Sequence, residues 1–104
     1  MKRNKYGAKP TTVNGIRFHS KRESEHYLKL RRELLGGKIS DLELQPSYQI
    51  AVNGMKICSY IADFRYNRDG VSIVEDVKGM DTSTSKLKRK LVKALYGVDV
   101  VIIK

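Results

Sequence analysis

The chain has 104 residues, of which 40% are hydrophobic, and this length suits one compact domain with a buried core. Its 21 Lys and Arg outnumber 11 Asp and Glu, and the net charge of +10 favours a polyanion such as nucleic acid as partner over a merely soluble basic protein. No apolar run approaches the roughly 18 residues of a membrane span and no signal sequence is readable at Met1, so a cytoplasmic protein without membrane contact is predicted. One Cys and two His cannot form an internal disulfide or a structural zinc site, so any metal must be bound by oxygen atoms.

Residues 1–12 are rich in cations and poor in apolar side chains, which predicts a flexible basic arm, followed by a single domain over residues 13–104. Ser20 followed by Glu23 is a capping-box signature, and the apolar residues that recur at helical spacing after it predict a first helix over residues 20–35. The cations of the arm are predicted to contact DNA, and they are Lys2, Arg3, Lys5 and Lys9.

Three β-prone segments follow the first helix. Asn53-Gly54 and Asp69-Gly70 are typical of two-residue hairpin turns, and they join these segments into consecutive strands. Pro46 lies inside the first segment, which requires an edge position or a bulge because proline has no amide hydrogen. The predicted strands cover residues 42–52, 55–66 and 71–78.

Residues 86–96 are predicted to form a second helix, and residues 98–103 a last, buried strand. The resulting order α-β-β-β-α-β indicates an α/β fold with a mixed central sheet flanked by helices. The buried face of the second helix is predicted to contain Leu87, Leu91, Ala94 and Leu95. Its opposite face is predicted to contact DNA phosphates through Lys86, Lys88, Arg89, Lys90 and Lys93.

Asp63, Asp76 and Lys78 interrupt the apolar pattern of the second and third strands. If Asp69-Gly70 is a two-residue turn, Asp63 faces Asp76 directly, whereas a four-residue loop makes Asp76 its diagonal neighbour. Both registers place the two carboxylates and Lys78 on one face of the sheet. Opposed carboxylates repel and favour a cation between them, so neutralising either one is expected to stabilise the metal-free protein. Two carboxylates beside a lysine match metal-assisted hydrolysis of a phosphodiester, and the alternative is an exposed cross-strand group without function.

Two further polar residues are candidates for the same site. Glu23 lies on the apolar stripe of the first helix, so it faces the sheet and could be a third metal ligand. The capping box gives it a second role, in which it accepts a hydrogen bond from the amide of the capping residue. A plain hairpin would pair Gln45 with Ala62 and not with Asp63, so Gln45 joins the site only if Pro46 creates a bulge.

The chain contains a series of short motifs in the predicted order of elements. They are Phe18-x-Ser20-Lys21-x-Glu23, Leu42-x-x-Gln45-Pro46, Ala62-Asp63-Phe64 and Glu75-Asp76-Val77-Lys78-Gly79. Over roughly residues 5–103, this series resembles the PD-(D/E)XK nuclease superfamily, which includes type II restriction enzymes, Holliday-junction resolvases and transposon and phage endonucleases. It resembles more closely a family of small phage-encoded proteins assigned to that superfamily. The resemblance implies a restriction-endonuclease-like core.

The resemblance also implies roles for individual residues. Catalytic roles are implied for Asp63, Asp76, Lys78, Glu23 and Gln45. Binding of a divalent metal, Mg²⁺ or Mn²⁺, is implied for Asp63, Asp76 and Glu23. Glu75 lies beside Asp76 in the motif, but it alternates to the other face of the strand, so strand parity favours Asp76 as the ligand.

These observations together predict a metal-dependent DNA endonuclease that is phage-encoded and structure-selective or weakly sequence-specific, acting on branched or replicating DNA. The alternative is a non-catalytic nucleic-acid-binding protein that retains the nuclease fold. A homodimer and contacts with phage replication or recombination proteins are further expectations. The expected location is the cytoplasm of a bacterial host, during phage infection or from a prophage.

Overall fold

The structure, a computed structural model, describes residues 10–104, which adopt the predicted mixed α/β class. Two helices accompany a four-stranded sheet and two separate hairpins in this part of the chain. In order, the elements are β1 (Thr11–Val13), β2 (Ile16–Phe18), α1 (Lys21–Leu35), β3 (Ser40–Leu44), β4 (Ser47–Val52), β5 (Met55–Ile61), β6 (Phe64–Arg68), β7 (Val71–Val77), α2 (Ser83–Tyr96) and β8 (Val100–Ile103).

The four-stranded sheet has the strand order β3-β6-β7-β8, with an antiparallel arrangement except for the parallel pair β7 and β8. Successive side chains of a strand point to opposite faces, and α1 packs on one face whereas α2 and the β4–β5 hairpin pack on the other. Phe64 and Tyr66 pack with α1 in one core cluster, whereas Val74 packs with Val92 of α2 in the other. Strand β7 therefore lies between the two cores, and its side chains reach both.

The first two predicted strands are each broken in the structure. Residues 42–52 were expected to be one strand, but β3 ends at Leu44 and β4 begins at Ser47. Gln45 has a φ of 53°, which interrupts the extended conformation, and Pro46 offers only its carbonyl oxygen, which accepts the Ala62 amide hydrogen at 3.0 Å. The facing strand breaks at the same level, between β5 and β6. Pro46 thus lies in a break between two strands, and not at an edge position or a bulge within one strand as predicted.

The two-residue turns predicted from Asn-Gly and Asp-Gly pairs are present. A type I′ turn requires positive φ at both of its central residues. The φ angles are 50° and 79° in Asn53-Gly54 and 53° and 78° in Asp69-Gly70. Arg68 consequently pairs with Val71. This pairing confirms the two-residue alternative for the second turn and rules out the four-residue loop.

Helix α1 begins one residue later than predicted and ends where expected. The Ser20 hydroxyl accepts the Glu23 amide hydrogen at 3.1 Å, and Gly36 follows the last residue. Tyr27 and Leu30 of the predicted stripe are buried against the sheet. Leu35 lies away from this stripe and is exposed.

The predicted buried face of the second helix is confirmed at Leu91, which packs against the core, but is wrong for the other three residues. Helix α2 begins at Ser83, because Thr82 caps it, and its fully buried residue is Val92. The predicted core residue Leu87 is 58% exposed, and Leu95 is exposed as well. Arg89 instead lies on the inner face, where the carboxylate of Asp81 neutralises its charge, so its aliphatic stem can be buried.

The ends of the domain also differ from the prediction. Strand β8 was expected to be buried, but it is half-buried at the edge of the sheet because only β7 pairs with it among the described strands. Thr11 and Thr12 form β1 together with Val13, so the predicted arm over residues 1–12 cannot extend beyond residue 10. Residues 1–9, with the four predicted DNA-contacting cations, lie outside the described residues. No helix in residues 10–104 is long and apolar enough to cross a membrane.

Candidate active site

A cavity of ≈ 910 Å³ lies at the C-terminal end of β7, beside the first turns of α1 and α2. All five candidate catalytic residues line it: Glu23, Gln45, Asp63, Asp76 and Lys78. Lys21 and Arg22 from the first turn of α1 and Thr82 and Ser85 from the start of α2 complete its polar wall. The structure therefore brings together side chains that are far apart in the sequence.

Asp63 lies where the chain passes from β5 into β6. The ladder between β6 and β7 ends at the pair Phe64 and Glu75, so one further step places Asp63 level with Asp76, as predicted. The carboxylate oxygen Oδ2 of Asp63 accepts the amide hydrogen of Val77 at 2.8 Å. This bond holds the Asp63 carboxyl over the end of β7 and directs it into the cavity.

Asp76 is buried and is held by two donors on the same oxygen. The Tyr60 hydroxyl donates a short hydrogen bond to Oδ2 of Asp76, and the ammonium nitrogen of Lys78 lies 3.2 Å from that atom. Asp76 also interacts with the Asp63 carboxyl, so the two acids lie side by side at the end of β7. Tyr60 was not predicted from the sequence. The signal that could have identified it is its alternation with Cys58 and Ala62, which places its phenol inside, where it requires a polar partner.

The acidic groups of the cavity have perturbed proton affinities. Burial, the neighbouring Glu23 carboxyl and the charge of Asp76 together raise the pKa of Asp63 to about 9. Burial and the bond to Asp76 raise the pKa of the Tyr60 phenol well above its usual range, although Arg89 acts in the opposite direction. Without a cation, Asp63 is therefore protonated at neutral pH, and Tyr60 remains a hydrogen-bond donor.

Glu23 makes a capping contact at the start of α1 and also faces the candidate site. One of its oxygens, Oε1, accepts the amide hydrogen of His19 at 2.9 Å, so Glu23 reaches one residue beyond the Ser20 amide expected from the capping box. Its carboxyl also lies close enough to Asp63 to raise the pKa of that group. Glu23 is buried at the cavity wall, so capping uses one oxygen while the carboxyl still faces the site.

Gln45 reaches the cavity through a bulge, but not through the one that was predicted. Ile50 pairs with Cys58 whereas Ala51 pairs with Lys56, so the extra residue is Ile57 on the opposite strand. This shift places Gln45 level with Asp63, whose carbonyl oxygen accepts the Gln45 amide hydrogen at 2.9 Å. Pro46 is not the cause of the shift.

Glu75 points to the other face of the sheet, as strand parity predicts. Its oxygens are 2.6 Å from Nε2 of His26 and 2.8 Å from the Tyr66 hydroxyl, and all three groups are largely buried between α1 and the sheet. Burial alone would raise the pKa of Glu75, but the bonds to His26 and Tyr66 outweigh it and hold the pKa below its usual value. Glu75 is thus part of the core, and Asp76 is the acid of the site.

The predicted DNA-contacting cations of α2 are divided between two faces. Lys88 donates to the Ser59 carbonyl at 3.3 Å, and Arg89 binds both oxygens of Asp81, so these two residues do not belong to an exposed phosphate-binding face. Lys86, Lys90 and Lys93 are exposed, and Lys93 pairs with Asp99 at 2.7 Å. Only part of the predicted basic face is therefore available to a partner.

The donor set of the cavity fits a hard divalent cation. Asp63 and Asp76 supply carboxylate oxygens, and the raised pKa of Asp63 indicates an excess of acidic groups that a cation would offset. No group of three or more His, Cys, Asp or Glu side chains in the described part of the chain is arranged as a metal site. Mg²⁺ does not require such a cage, because it is usually bound by one or two carboxylates, water and substrate phosphate.

The comparison with protein families gives one result. The chain belongs to the family described as "Protein of unknown function (DUF1064)", which matches residues 3–102 and therefore nearly the whole sequence. No curated relative matches the chain.

Proposed function

We propose that the protein is a metal-dependent DNA endonuclease with an active site of the PD-(D/E)XK type. The observation that supports this proposal most strongly is the convergence of Asp63, Asp76 and Lys78 in one cavity, with the Lys78 ammonium 3.2 Å from the Asp76 carboxylate. A surface charge pair would be exposed, whereas Asp76 is buried and its companion Asp63 has a raised pKa.

Each residue has a distinct task in this proposal. Asp63 and Asp76 would hold Mg²⁺ or Mn²⁺, with Glu23 beside Asp63, and the bound ion would supply Lewis-acid polarisation of the phosphate. Tyr60 fixes the orientation of the Asp76 carboxylate. The Lys78 ammonium orients the attacking water or offsets negative charge that develops on the phosphate. Gln45, level with Asp63, offers a neutral amide to the substrate.

The charge distribution supports a polyanionic substrate. The net charge is +10, and Lys21 and Arg22 line the same cavity as the acidic group. Contacts with phosphates give affinity without reading the base sequence, so structure-selective or weakly specific cleavage of branched or replicating DNA is proposed. A homodimer and phage recombination or replication partners belong to the same proposal, as does a phage or prophage origin.

A non-catalytic nucleic-acid-binding protein with the same fold is the second candidate. It is favoured by the strong positive charge, which such a protein shares. Its weakness is the carboxylate group itself, because buried acids at the centre of a binding surface would repel phosphate.

The decisive experiment incubates the pure protein with linear, nicked and four-way-junction DNA, with Mg²⁺, Mn²⁺ or EDTA. Cleavage is expected only with metal. Lys78→Ala should lower the cleavage rate by roughly 10²–10³-fold, as loss of one charge-stabilising donor does, with little change in DNA affinity. Lys38→Ala, at an exposed position beyond the C-terminal end of α1, is the control and should keep the parent rate. Equal losses of binding and cleavage in Lys78→Ala would assign Lys78 to the binding surface.

A further inference from the structure

Two large apolar side chains lie exposed at the mouth of the charged cavity. Ile61, the last residue of β5, is 58% exposed, and Met80, two residues after Lys78, is 56% exposed. Both line the cavity that contains Asp63 and Asp76. We call these two residues the apolar rim. Metal-assisted cleavage of a phosphodiester does not use such groups, so the apolar rim requires another explanation.

The β4–β5 hairpin, which leads to Ile61 of the apolar rim, contains no acidic residue. Residues 46–61, which include the β4–β5 hairpin, contain no Asp or Glu, and Lys56 is their only charged side chain. Ile57, in the same strand as Ile61, is also exposed. The hairpin itself therefore presents no negatively charged side chain to a polyanion.

The cations around the apolar rim decide which partner it fits. Lys21, Arg22 and Lys78 line the same cavity, and a second copy of this chain would bring a further net charge of +10 against them. A nucleic acid instead offers phosphates to the cations and base faces to the apolar side chains. The apolar faces of bases are covered in an intact duplex and become accessible only where a base step is open or unpaired.

We infer that the apolar rim contacts base faces at an unpaired or unstacked position next to the phosphate in the cavity. This inference rests on the proposed function, because it names DNA with open bases as the substrate class of that site. Ile61 and Met80 act as specificity-determining residues, and they wedge against a base that a fully paired duplex keeps stacked. The energy of this contact is available only on DNA that is already open, since an intact duplex must first be unstacked.

Binding in EDTA tests the inference without requiring cleavage. The probes are a duplex with a central three-nucleotide bubble that contains 2-aminopurine and a fully paired duplex of the same length. The parent protein should bind the bubble about tenfold more tightly, which corresponds to about 1.4 kcal/mol, and should change the 2-aminopurine fluorescence. The double variant Ile61→Ser, Met80→Ser should bind both DNAs about equally and leave the fluorescence unchanged.

The matched control is Val71→Ser, which alters an exposed apolar strand residue at the opposite end of β7 and should retain the preference. Melting curves for every variant show whether it is still folded. The milder variants Ile61→Ala and Met80→Gln test the contact with base faces if the double variant does not fold. Equal affinity of the parent protein for both DNAs, or an unchanged preference in the double variant, would overturn the inference. So would a change from dimer to monomer in the double variant, measured by sedimentation, because the apolar rim would then be a contact between copies.

The two proposals can fail separately. If the parent protein cleaves with metal but the double variant keeps the preference, the nuclease proposal stands and the apolar rim has no role. If no DNA is cleaved but the preference is present and is lost in the double variant, the nuclease proposal fails and the inference holds for a binding protein.

Discussion

At the residue scale, the two acids of the cavity are not equivalent. Asp76 is buried with donors from Tyr60 and Lys78 on one oxygen, whereas Asp63 faces two other carboxyl groups and has its pKa raised to about 9. This difference between Asp63 and Asp76 could not be predicted from the sequence, because strand parity shows which face a side chain occupies but not which donors surround it. Neutralising Asp63 is therefore expected to stabilise the metal-free protein, whereas neutralising Asp76 is not.

The pH dependence of stability tests this difference. The pKa of Asp63 is about 9 in the folded protein, whereas an unperturbed Asp side chain has a pKa of 3.8. The folded state therefore binds this proton more tightly than the unfolded state does. The resulting stabilisation is complete below pH 3.8 and is lost as the pH rises towards 9. In EDTA, the free energy of unfolding should therefore fall across this range, by at most about 1.4 kcal/mol per pH unit from this one group.

In EDTA, the free energy of unfolding of the variant Asp63→Asn should depend less on pH than that of the parent protein. Between about pH 7 and pH 8, where the parent loses stability, the variant should have the higher melting temperature. Asp69→Asn, in an exposed turn, is the control for loss of a carboxyl and should keep the parent profile. Mg²⁺ should stabilise the parent protein more than Asp63→Asn, because a ligand of the folded site shifts the equilibrium towards it. Parallel profiles for the parent and Asp63→Asn would contradict this account.

Tyr60 provides a second test at the residue scale. The variant Tyr60→Phe keeps the ring in the core and removes the donor to Asp76, so the carboxylate loses its fixed orientation. Metal affinity or cleavage should fall by about 10–100-fold, as is usual for a partner that orients a metal ligand. Isothermal titration with Mn²⁺ and cleavage rates against Mn²⁺ concentration measure the effect. Tyr66→Phe, which removes a hydroxyl from the opposite face of the sheet, serves as the control, and an equal effect there would argue against a specific role of Tyr60.

At the scale of elements, local signals predicted the turns and the first helix well. Asn-Gly and Asp-Gly pairs require positive φ and thereby set the register that brings Asp63 level with Asp76. The buried face of α2 was predicted only in part: Leu91 packs against the core, but the sequence pattern did not reveal that Arg89 would pair with Asp81 and lie half-buried. The bulge at Ile57 was missed as well, since no residue type marks it.

Helix α1 contributes Glu23, and its two roles can be separated by one substitution. In Glu23→Gln the amide oxygen can still accept the His19 amide hydrogen, so the melting temperature should change by only a few degrees, equivalent to less than about 1 kcal/mol. Cleavage should decrease because the carboxylate beside Asp63 is lost. Glu25→Gln, an exposed change in the same helix, controls for charge and should be as active as the parent. Full activity of Glu23→Gln would restrict Glu23 to capping.

At the scale of the whole molecule, the positive charge is distributed unevenly around the acidic site. Lys21 and Arg22 lie at the cavity, whereas Lys88 and Arg89 are occupied by contacts within the domain. Of the predicted DNA-contacting cations on α2, the exposed ones are Lys86, Lys90 and Lys93. The four cations of residues 1–9 are therefore the largest predicted contribution to DNA affinity outside the cavity.

Replacing these four cations by Gln in the full chain tests that contribution. Each phosphate contact adds roughly 0.9 to the magnitude of the negative slope of log K against log salt, so loss of four contacts should lower this magnitude by up to about 3.6. Affinity should fall to a similar extent for all DNA sequences, because phosphate contacts do not read bases.

The matched variant replaces Lys86, Lys90 and Lys93 and should lower the slope less, since Lys93 already pairs with Asp99. A fluorescence-anisotropy series across salt concentrations measures both slopes. An unchanged slope in the first variant would show that the basic segment does not contact DNA, and the positive charge at the cavity would then have to account for binding.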